Sequence, residues 1–383
     1  MNPDKSIQVC YKGRQVGTLA MTPDHKAAFA YSDDWLEHGF SISPFSLPLE
    51  KQVFLPQKDY FGGLFGVFGD SLPDAWGNLL LNRLLAEHGY DPGKLNVLHR
   101  LSIVGESGMG ALTYHPAKEL TVMENSDNLD ELSIQCKKIL NTEYSDKLDE
   151  LYRLGGTSGG ARPKIMTEID GEYWIIKFPA QVDGADAGAM EYDYFLCAKA
   201  CGIPMSDSRL FPSTLCKGYF GTKRFDRYKD SEGHLQRIHV LTAAALLELD
   251  FEQPSLDYHS LMKLTKILTR NNKDDVESMF RRMCFNVFAH NRDDHSKNFS
   301  YLYDEKEESW RLSPAYDLTF SNTYYGEHTT TVNGNGKNPG RKDLLSVGTT
   351  AGMSLSSCAR IADEIENCVQ EMLGKYLKHQ SLC

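Results

Sequence analysis

The first sixty residues carry a two-residue alternation of apolar and polar positions. Ile7, Val9 and Tyr11 are separated by polar neighbours, Lys12-Gly13 forms a turn, and Val16-Gly17-Thr18-Leu19 resumes the pattern. That period is the signature of strands in a half-buried antiparallel sheet. The apolar runs Ala27 to Tyr31 and Val53 to Leu55 extend the same small sheet. The period then changes. Asp70-Ser71-Leu72-Pro73-Asp74 offers a capping hydroxyl or carboxylate, a proline for the first turn and an acid at the positive end of a helix dipole, so a helix starts there. Leu79, Leu80, Leu84 and Leu85 form its apolar face and Gly89 stops it. Gly105, Gly108 and Gly110 interrupt the next segment before Ala111-Leu112-Thr113-Tyr114. From about Pro116 to Asp149 the chain is more polar and acidic. It holds one amphipathic helix on Leu129, Leu132, Cys136 and Ile139 and reads as a connection between domains.

Chemistry begins with Gly155-Gly156-Thr157-Ser158-Gly159-Gly160-Ala161-Arg162-Pro163-Lys164. Without a Cβ, glycines let backbone N–H groups come close to phosphate oxygens. Ser158, Gly159, Gly160 and Lys164 are therefore candidates to hold a nucleotide. The Gly-Lys-Ser/Thr ending of a Walker loop is absent, and a flexible turn before a strand is the plainer alternative. A strand pair follows and ends in Trp174-Ile175-Ile176-Lys177-Phe178-Pro179, where the charge of Lys177 needs a partner among apolar neighbours. Glu191 opens the helical pattern Glu191, Tyr194, Phe195, Ala198. A strand lysine held by a helix glutamate and directed at nucleotide phosphates is a kinase arrangement; a strand-edge lysine and a solvated glutamate are the alternative.

The strongest pattern is further on. Val276, Met279, Phe280, Met283, Cys284, Val287 and Phe288 keep the spacing of one buried helix face. The helix ends at His290-Asn291-Arg292-Asp293-Asp294-His295-Ser296-Lys297-Asn298. Arg-Asp with a later Asn at this spacing matches a kinase catalytic loop, in which the Asp accepts the substrate hydroxyl proton and the Asn holds magnesium. Phe299 to Tyr303 and Ser309 to Leu312 alternate around Asp304-Glu305-Lys306-Glu307 as a hairpin should, and deliver Tyr316-Asp317-Leu318. Asp317 stands where a second metal ligand belongs. One Asp and one Asn suffice on the protein side, because magnesium takes further oxygens from substrate phosphates. A metal-hydrolase cluster of Asp293, Asp294, His295 and Asp317 is the rival, and it lacks the partner histidine of a zinc helix. No role is assigned to Asp294, and His290 reads as a satisfied hydrogen-bonding residue.

Composition narrows the field. A length of 383 residues suits two domains with full cores. A net charge of −11 argues against non-specific binding of a phosphate backbone. No apolar run reaches the length of a membrane span, and Met1-Asn2-Pro3-Asp4-Lys5 leads into strand-like sequence rather than a signal peptide. Nine cysteines without Cys-x-x-Cys spacing suggest reduced thiols, no metal cluster and a cytoplasmic protein.

Taken together, Ser71-Leu72-Pro73-Asp74-Ala75-Trp76-Gly77, Ser158-Gly159-Gly160-Ala161-Arg162-Pro163-Lys164, Ile175-Ile176-Lys177-Phe178-Pro179, Arg224-Phe225-Asp226-Arg227, Asp293-Asp294-His295-Ser296-Lys297-Asn298-Phe299-Ser300 and Tyr316-Asp317-Leu318 resemble the HipA family. These are serine/threonine kinases acting as toxins of bacterial toxin–antitoxin pairs. The resemblance covers about residues 5 to 370. It implies that Asp293 is the catalytic base, that Asn298 and Asp317 hold Mg2+, and that Lys177 binds the phosphates of ATP. It also implies that the backbone of Lys223, Arg224 and Phe225 meets adenine, that Asp226 lies near the ribose, and that His295 takes a position where many kinases carry lysine. The glycine-rich turn would carry inhibitory autophosphorylation on Thr157 or Ser158. The implied partners are a HipB-like helix-turn-helix antitoxin, operator DNA through that antitoxin, and a protein substrate such as an aminoacyl-tRNA synthetase.

The expected fold class is α+β, a two-lobed, protein-kinase-like and HipA-like core preceded by a small N-terminal α+β domain. Boundaries are expected at 1–120 for the N-terminal domain, 121–149 for the acidic helical connection, 150–235 for a nucleotide-binding lobe and 236–383 for a mainly helical catalytic lobe. The N-terminal domain reads as structural and partner-facing, with Asp70, Asp74 and Trp76 serving as a helix start and a packing anchor. Two other functions compete with a protein kinase: a silent nucleotide-binding corepressor scaffold, and a kinase for a small molecule or lipid.

Overall fold

The computed structural model describes residues 5–118, 128–180, 183–323 and 326–377. The four opening residues and residues 121–127 of the acidic connection lie outside that set. The chain divides into two compact units. The first comprises Met1–Gly188, Phe211–Leu241 and Ala245–Leu249; the second comprises Ala189–Leu210, Thr242–Ala244 and Asp250–Cys383.

In the first unit the alternating N-terminal segments form a five-stranded sheet. Its order is Val53–Phe54, Ala27–Tyr31, Arg14–Met21, Ser6–Tyr11, Leu112–His115, with each neighbouring pair antiparallel. Ile7, Val9, Val16, Leu19 and Phe29 are fully buried, as the two-residue period requires when one sheet face packs on the core. A second antiparallel sheet places Lys164–Ile169 beside Glu172–Lys177, and that strand beside Tyr219–Lys223. The first two strands are joined through Asp170-Gly171, both at positive φ, the backbone that a tight two-residue hairpin turn demands.

The helices Ala75–Glu87, Leu129–Leu140 and Leu148–Gly155 pack over this second sheet. Trp76, Leu80 and Leu84 share one core with Leu132, Cys136, Ile139, Leu151, Ile165, Trp174 and Ile176. The helix in the acidic stretch is thus a core element of the first unit. Asn128 caps it, accepting the N–H groups of Asp130 and Glu131.

The second unit is mainly helical. Lys273–Phe288 starts at Asn272, whose side chain accepts two first-turn amides, and buries Val276, Met279, Phe280, Met283 and Cys284. It packs with Tyr258–Leu268, Arg341–Thr350 and Leu355–Leu377. The expected hairpin is Ser300–Asp304 against Ser309–Leu312, with Asp304 accepting the N–H groups of Lys306 and Glu307 in the turn. No helix of the described residues is long and apolar enough to cross a membrane.

Candidate functional site

In the first unit the glycine-rich turn leaves the helix Leu148–Gly155 and enters the strand Lys164–Ile169. Its conformation is held from outside. The Asp74 carboxylate accepts the Gly160 N–H at 2.9 Å, the Trp76 N–H donates to the Gly160 carbonyl at 3.2 Å, and the Trp76 indole N–H donates to the Lys164 carbonyl at 3.1 Å. A Cβ on Gly77 would come within 2.6 Å of the Gly156 carbonyl oxygen, so the helix approaches the turn at a distance only glycine permits. Gly160 has a φ of +82°, again suited to glycine.

This changes the reading of the Ser71–Gly77 segment. Asp74 occupies the N-cap position, yet its side chain makes no bond to the first-turn amides. A carboxylate spent on Gly160 serves the turn instead. Trp76 is the packing anchor expected of it, and a clamp on the turn as well.

Inside the turn, Thr157 donates to the Ser107 carbonyl at 3.0 Å and Ser158 to the Gly155 carbonyl at 2.6 Å. Both are buried, at 5% and 1% exposure. The Lys164 ammonium donates to the Gly159 carbonyl at 2.5 Å. Lys164 and Lys177 are direct register partners on neighbouring strands, so both side chains leave the same sheet face. Two cations on one face beneath a glycine turn favour an anion there. The Lys177 ammonium also lies 5.7 Å from the centre of the Phe220 ring.

Lys223 sits at the end of its strand and pairs with Glu172 at 2.6 Å, and the next amide, of Arg224, donates to the Tyr173 carbonyl. Phe225 is half-buried in the following turn. Asp226 is fully buried. It accepts Arg224 Nε and Nη2, Arg227 Nη1 and the Gly110 N–H, all at 2.8 Å. Burial alone would raise its pKa, but the two guanidiniums outweigh burial and lower it to about 2. A carboxylate so engaged anchors the Gly108–Gly110 segment, with Arg227 also donating to the Gly108 and Gly110 carbonyls. To meet a ribose it would have to give up these bonds.

In the second unit the helix Lys273–Phe288 delivers the 290–298 loop, with His290 at a φ of +53° just beyond its end. Asp293 and Asp294 point to opposite environments. The Asp293 side chain is 59% exposed, with His295 Nε2 4.0 Å from its carboxylate. Asp294 is buried and accepts Tyr258 Oη at 2.9 Å, His328 Nδ1 at 3.0 Å and the Thr330 N–H at 3.0 Å. The 326–341 loop is therefore docked on the Asp294 carboxylate through His328 and Thr330. The Thr329 N–H and hydroxyl add two bonds to the Arg292 carbonyl, both 3.0 Å.

Asp294 is also one end of a buried chain. Tyr258 Oη accepts Asn286 Nδ2 at 2.9 Å, and Asn291 Nδ2 donates to Asn286 Oδ1 at 2.9 Å and to the Asp317 carbonyl at 3.5 Å. Burial, then the nearby Asp294 charge, raises the Tyr258 pKa well above its usual value, so its hydroxyl stays a donor. Asp317 itself has a φ of +52°, a strained conformation for a residue with a side chain and one that recurs at functional sites. Asn298 donates to the Asp293 carbonyl at 2.8 Å, which leaves its side-chain oxygen as the acceptor it offers. His295 opens the short helical turn Ser296–Asn298, its Nδ1 accepting the Lys297 N–H at 3.3 Å.

The donor set fits magnesium. Asn298 and Asp317 supply hard oxygens, and Asn291 Oδ1 beside Asp317 is a buried acceptor with no donor in reach, which a hydrated cation would satisfy. The hydrolase alternative fails on geometry, because the Asp294 carboxylate is consumed by Tyr258, His328 and Thr330. Among the described residues, the group of metal-type side chains that does come together is Cys197, Cys201 and Cys368. That corrects the expectation of cysteines without a cluster. Cys368 is far along the chain from the other two, and no local spacing reveals it. Asp74, Tyr258, Asn286, Asn291 and His328 were likewise not anticipated. Asn286 alone had a visible signal: an amide between Phe285 and Val287 on a buried helix needs a buried partner.

The model of the HipA-like C-terminal domain matches residues 156–373, and that of the HipA N-terminal domain matches residues 7–115. The chain belongs to the HipA family. Two relatives in Sinorhizobium fredii carry the names "Putative kinase Y4mE" and "Putative kinase Y4dM". The first is 26% identical over 83% of this chain and 78% of its own, the second 25% identical over 85% and 80%. Among solved structures, the HipA chain of the Shewanella oneidensis HipA, HipB and operator DNA complex superposes with a TM-score of 0.72. It is 17% identical, over 97% of this chain and 90% of that one. The fold is accordingly α+β and HipA-like.

Proposed function

We propose that this HipA-family chain is an ATP- and magnesium-dependent protein kinase that phosphorylates serine or threonine. The observation that carries the proposal is the buried chain Asp294–Tyr258–Asn286–Asn291–Asp317. It fixes the loop bearing Asp293 and Asn298 against the segment bearing Asp317, the three residues kinase chemistry requires. In this reading Asp293, exposed to an incoming substrate, accepts the proton of the attacking hydroxyl as its oxygen bonds to the γ-phosphorus and the bond to the β-phosphate oxygen breaks. His295 lies beside that carboxylate. Asn298 and Asp317 would hold magnesium, whose chemistry there would be to neutralise charge on the phosphates. Lys164, Lys177 and the amides of the Ser158–Gly160 turn hold the phosphate oxygens. The Lys223–Phe225 backbone borders the base.

Family membership extends the proposal to a cytoplasmic toxin that acts on a translation protein such as an aminoacyl-tRNA synthetase. A HipB-like antitoxin would hold it on operator DNA, the assembly in which the Shewanella relative was solved. Autophosphorylation on Thr157 or Ser158 would demand that the turn leave the Asp74–Trp76 clamp, since neither buried hydroxyl has room for a phosphate. The test is incubation of the protein with γ-labelled ATP and host lysate. Transfer of label to a defined protein on Ser or Thr, abolished by EDTA, supports the reading. Nucleotide binding with no transfer to any protein or to the chain itself favours the silent scaffold.

A further inference from the structure

Cys197, Cys201 and Cys368 take no part in the reading above, yet their placement is specific. Cys197 lies on the helix Ala187–Ala200, and Cys201 follows one turn later with its N–H donating to the Cys197 carbonyl at 2.9 Å. Two thiols four residues apart leave the same helix face. Cys368 comes from the helix Leu355–Leu377. The three Sγ atoms all lie within 4.8 Å of one another, with Cys197 and Cys201 buried and Cys368 half-buried. Met372 Sδ is 3.7 Å from Cys368 Sγ.

The protein itself brings these sulfurs together. Asp193 accepts both Lys375 Nζ and Tyr376 Oη at 2.7 Å, and the Tyr194 and Tyr376 rings lie 6.1 Å apart. Those contacts pin the same two helices about one turn from Cys197 and two turns from Cys368. Thiolate–metal bonds of about 2.3 Å place two sulfurs of one ion about 3.8 Å apart. Closing the cluster round an ion therefore takes side-chain movements of about an ångström or less.

The donor set selects the ion. Among the described residues no histidine or carboxylate joins the three thiols, and Met372 adds a thioether beside Cys368. Zinc prefers a fourth thiolate, an imidazole or an oxygen, whereas thiolate and thioether together suit the softer Cu(I). Arg281 donates to the Cys201 carbonyl at 3.0 Å and brings a cation to the site, facing Glu364 and Glu277; Glu371 adds negative charge near Cys368.

We propose that Cys197, Cys201 and Cys368 form a copper(I) site with Met372 as a weaker fourth donor. Each ligating thiol releases its proton to solvent as the sulfur–copper bond forms, and copper supplied as Cu(I) keeps its oxidation state. The site does not depend on the kinase reading.

The reduced full-length protein, kept anaerobic, is titrated with Cu(I) against the chromogenic competitor bicinchoninate, and its copper environment is read by X-ray absorption. One Cu(I) per chain is expected, with a sulfur-only first shell at about 2.2–2.3 Å. Cys368→Ser should weaken binding by at least about 100-fold and Met372→Leu by less than about 10-fold. Cys10→Ser, a buried thiol in the other unit, should change nothing. Nitrogen or oxygen neighbours in the wild-type spectrum would overturn the assignment without recourse to any variant. Undiminished uptake by Cys368→Ser, or preferential uptake of Zn(II), would overturn it equally.

Discussion

The Asp74 carboxylate and the Gly160 amide are 86 residues apart in sequence and 2.9 Å apart in space. With the Trp76 N–H on the Gly160 carbonyl, both polar groups of one glycine are held by a segment of the N-terminal region. A hydrogen bond to a charged acceptor contributes about 1.5–3 kcal/mol. Asp74→Ala should therefore loosen the turn and weaken ATP binding by roughly ten-fold or more, while Asp74→Asn, which keeps an acceptor oxygen, should do less. Calorimetric titration of each variant measures this. Equal affinities would show that the clamp does not serve the nucleotide.

Asp294→Ala should cost about 3–5 kcal/mol of stability, because it strands Tyr258, His328 and the Thr330 amide in the interior. Tyr258→Phe should cost about 1–3 kcal/mol, since it leaves Asp294 and Asn286 each short of one bond. Urea unfolding gives both values. In Tyr258→Phe, turnover should also fall while ATP affinity changes little, because the broken link runs to the Asp317 segment and not to the glycine turn.

His239 provides a pH-dependent term. It is fully buried in the first unit against the Ile42 carbonyl at 2.8 Å, and burial lowers its pKa to about 4. The unfolded chain takes up this proton near pH 6.5, before the folded chain does. Stability is therefore unaffected above pH 6.5 and declines from there toward pH 4, by about 2 kcal/mol at pH 5 for this residue alone. Denaturation of wild type and His239→Gln at pH 7 and pH 5 should show a smaller loss in the variant. Identical losses would remove His239 from the account.

Asp317→Asn should raise the magnesium concentration needed for half-maximal nucleotide binding by roughly ten-fold or more, because a carboxylate ligand is replaced by a neutral amide. Magnesium titration with a fluorescent nucleotide reads this.

Much of this was written locally in the chain. The period of Val276 to Val287, the Asp304 turn and the Leu129–Ile139 face each specify an element through residues within a few turns of one another. Candidate site residues could be named where they are close in sequence, as Asp293 and Asn298 are. What stayed hidden are partnerships across long stretches of chain. Periodicity tells which way a side chain faces, but not what waits there. Asp74 read as a cap because Asp before a helix usually caps, and the distant Gly160 amide claimed it. Cys368 had no visible link to Cys197, and Asp294 needed His328 to show that it is an anchor for a loop. Asp226 carried a motif resemblance, yet only the packed unit shows its carboxylate already taken by two arginines.

The most direct test of the central claim is the rate of phosphoryl transfer by Asp293→Asn measured beside its ATP affinity. Asp293 is exposed, with His295 Nε2 4.0 Å from its carboxylate, so the variant should fold and bind ATP as the wild type does. A base acting at the transition state typically supplies 10²–10⁴-fold, and transfer should fall by about that factor with Kd for ATP nearly unchanged. Transfer above about a tenth of the wild-type rate would contradict the assignment of Asp293.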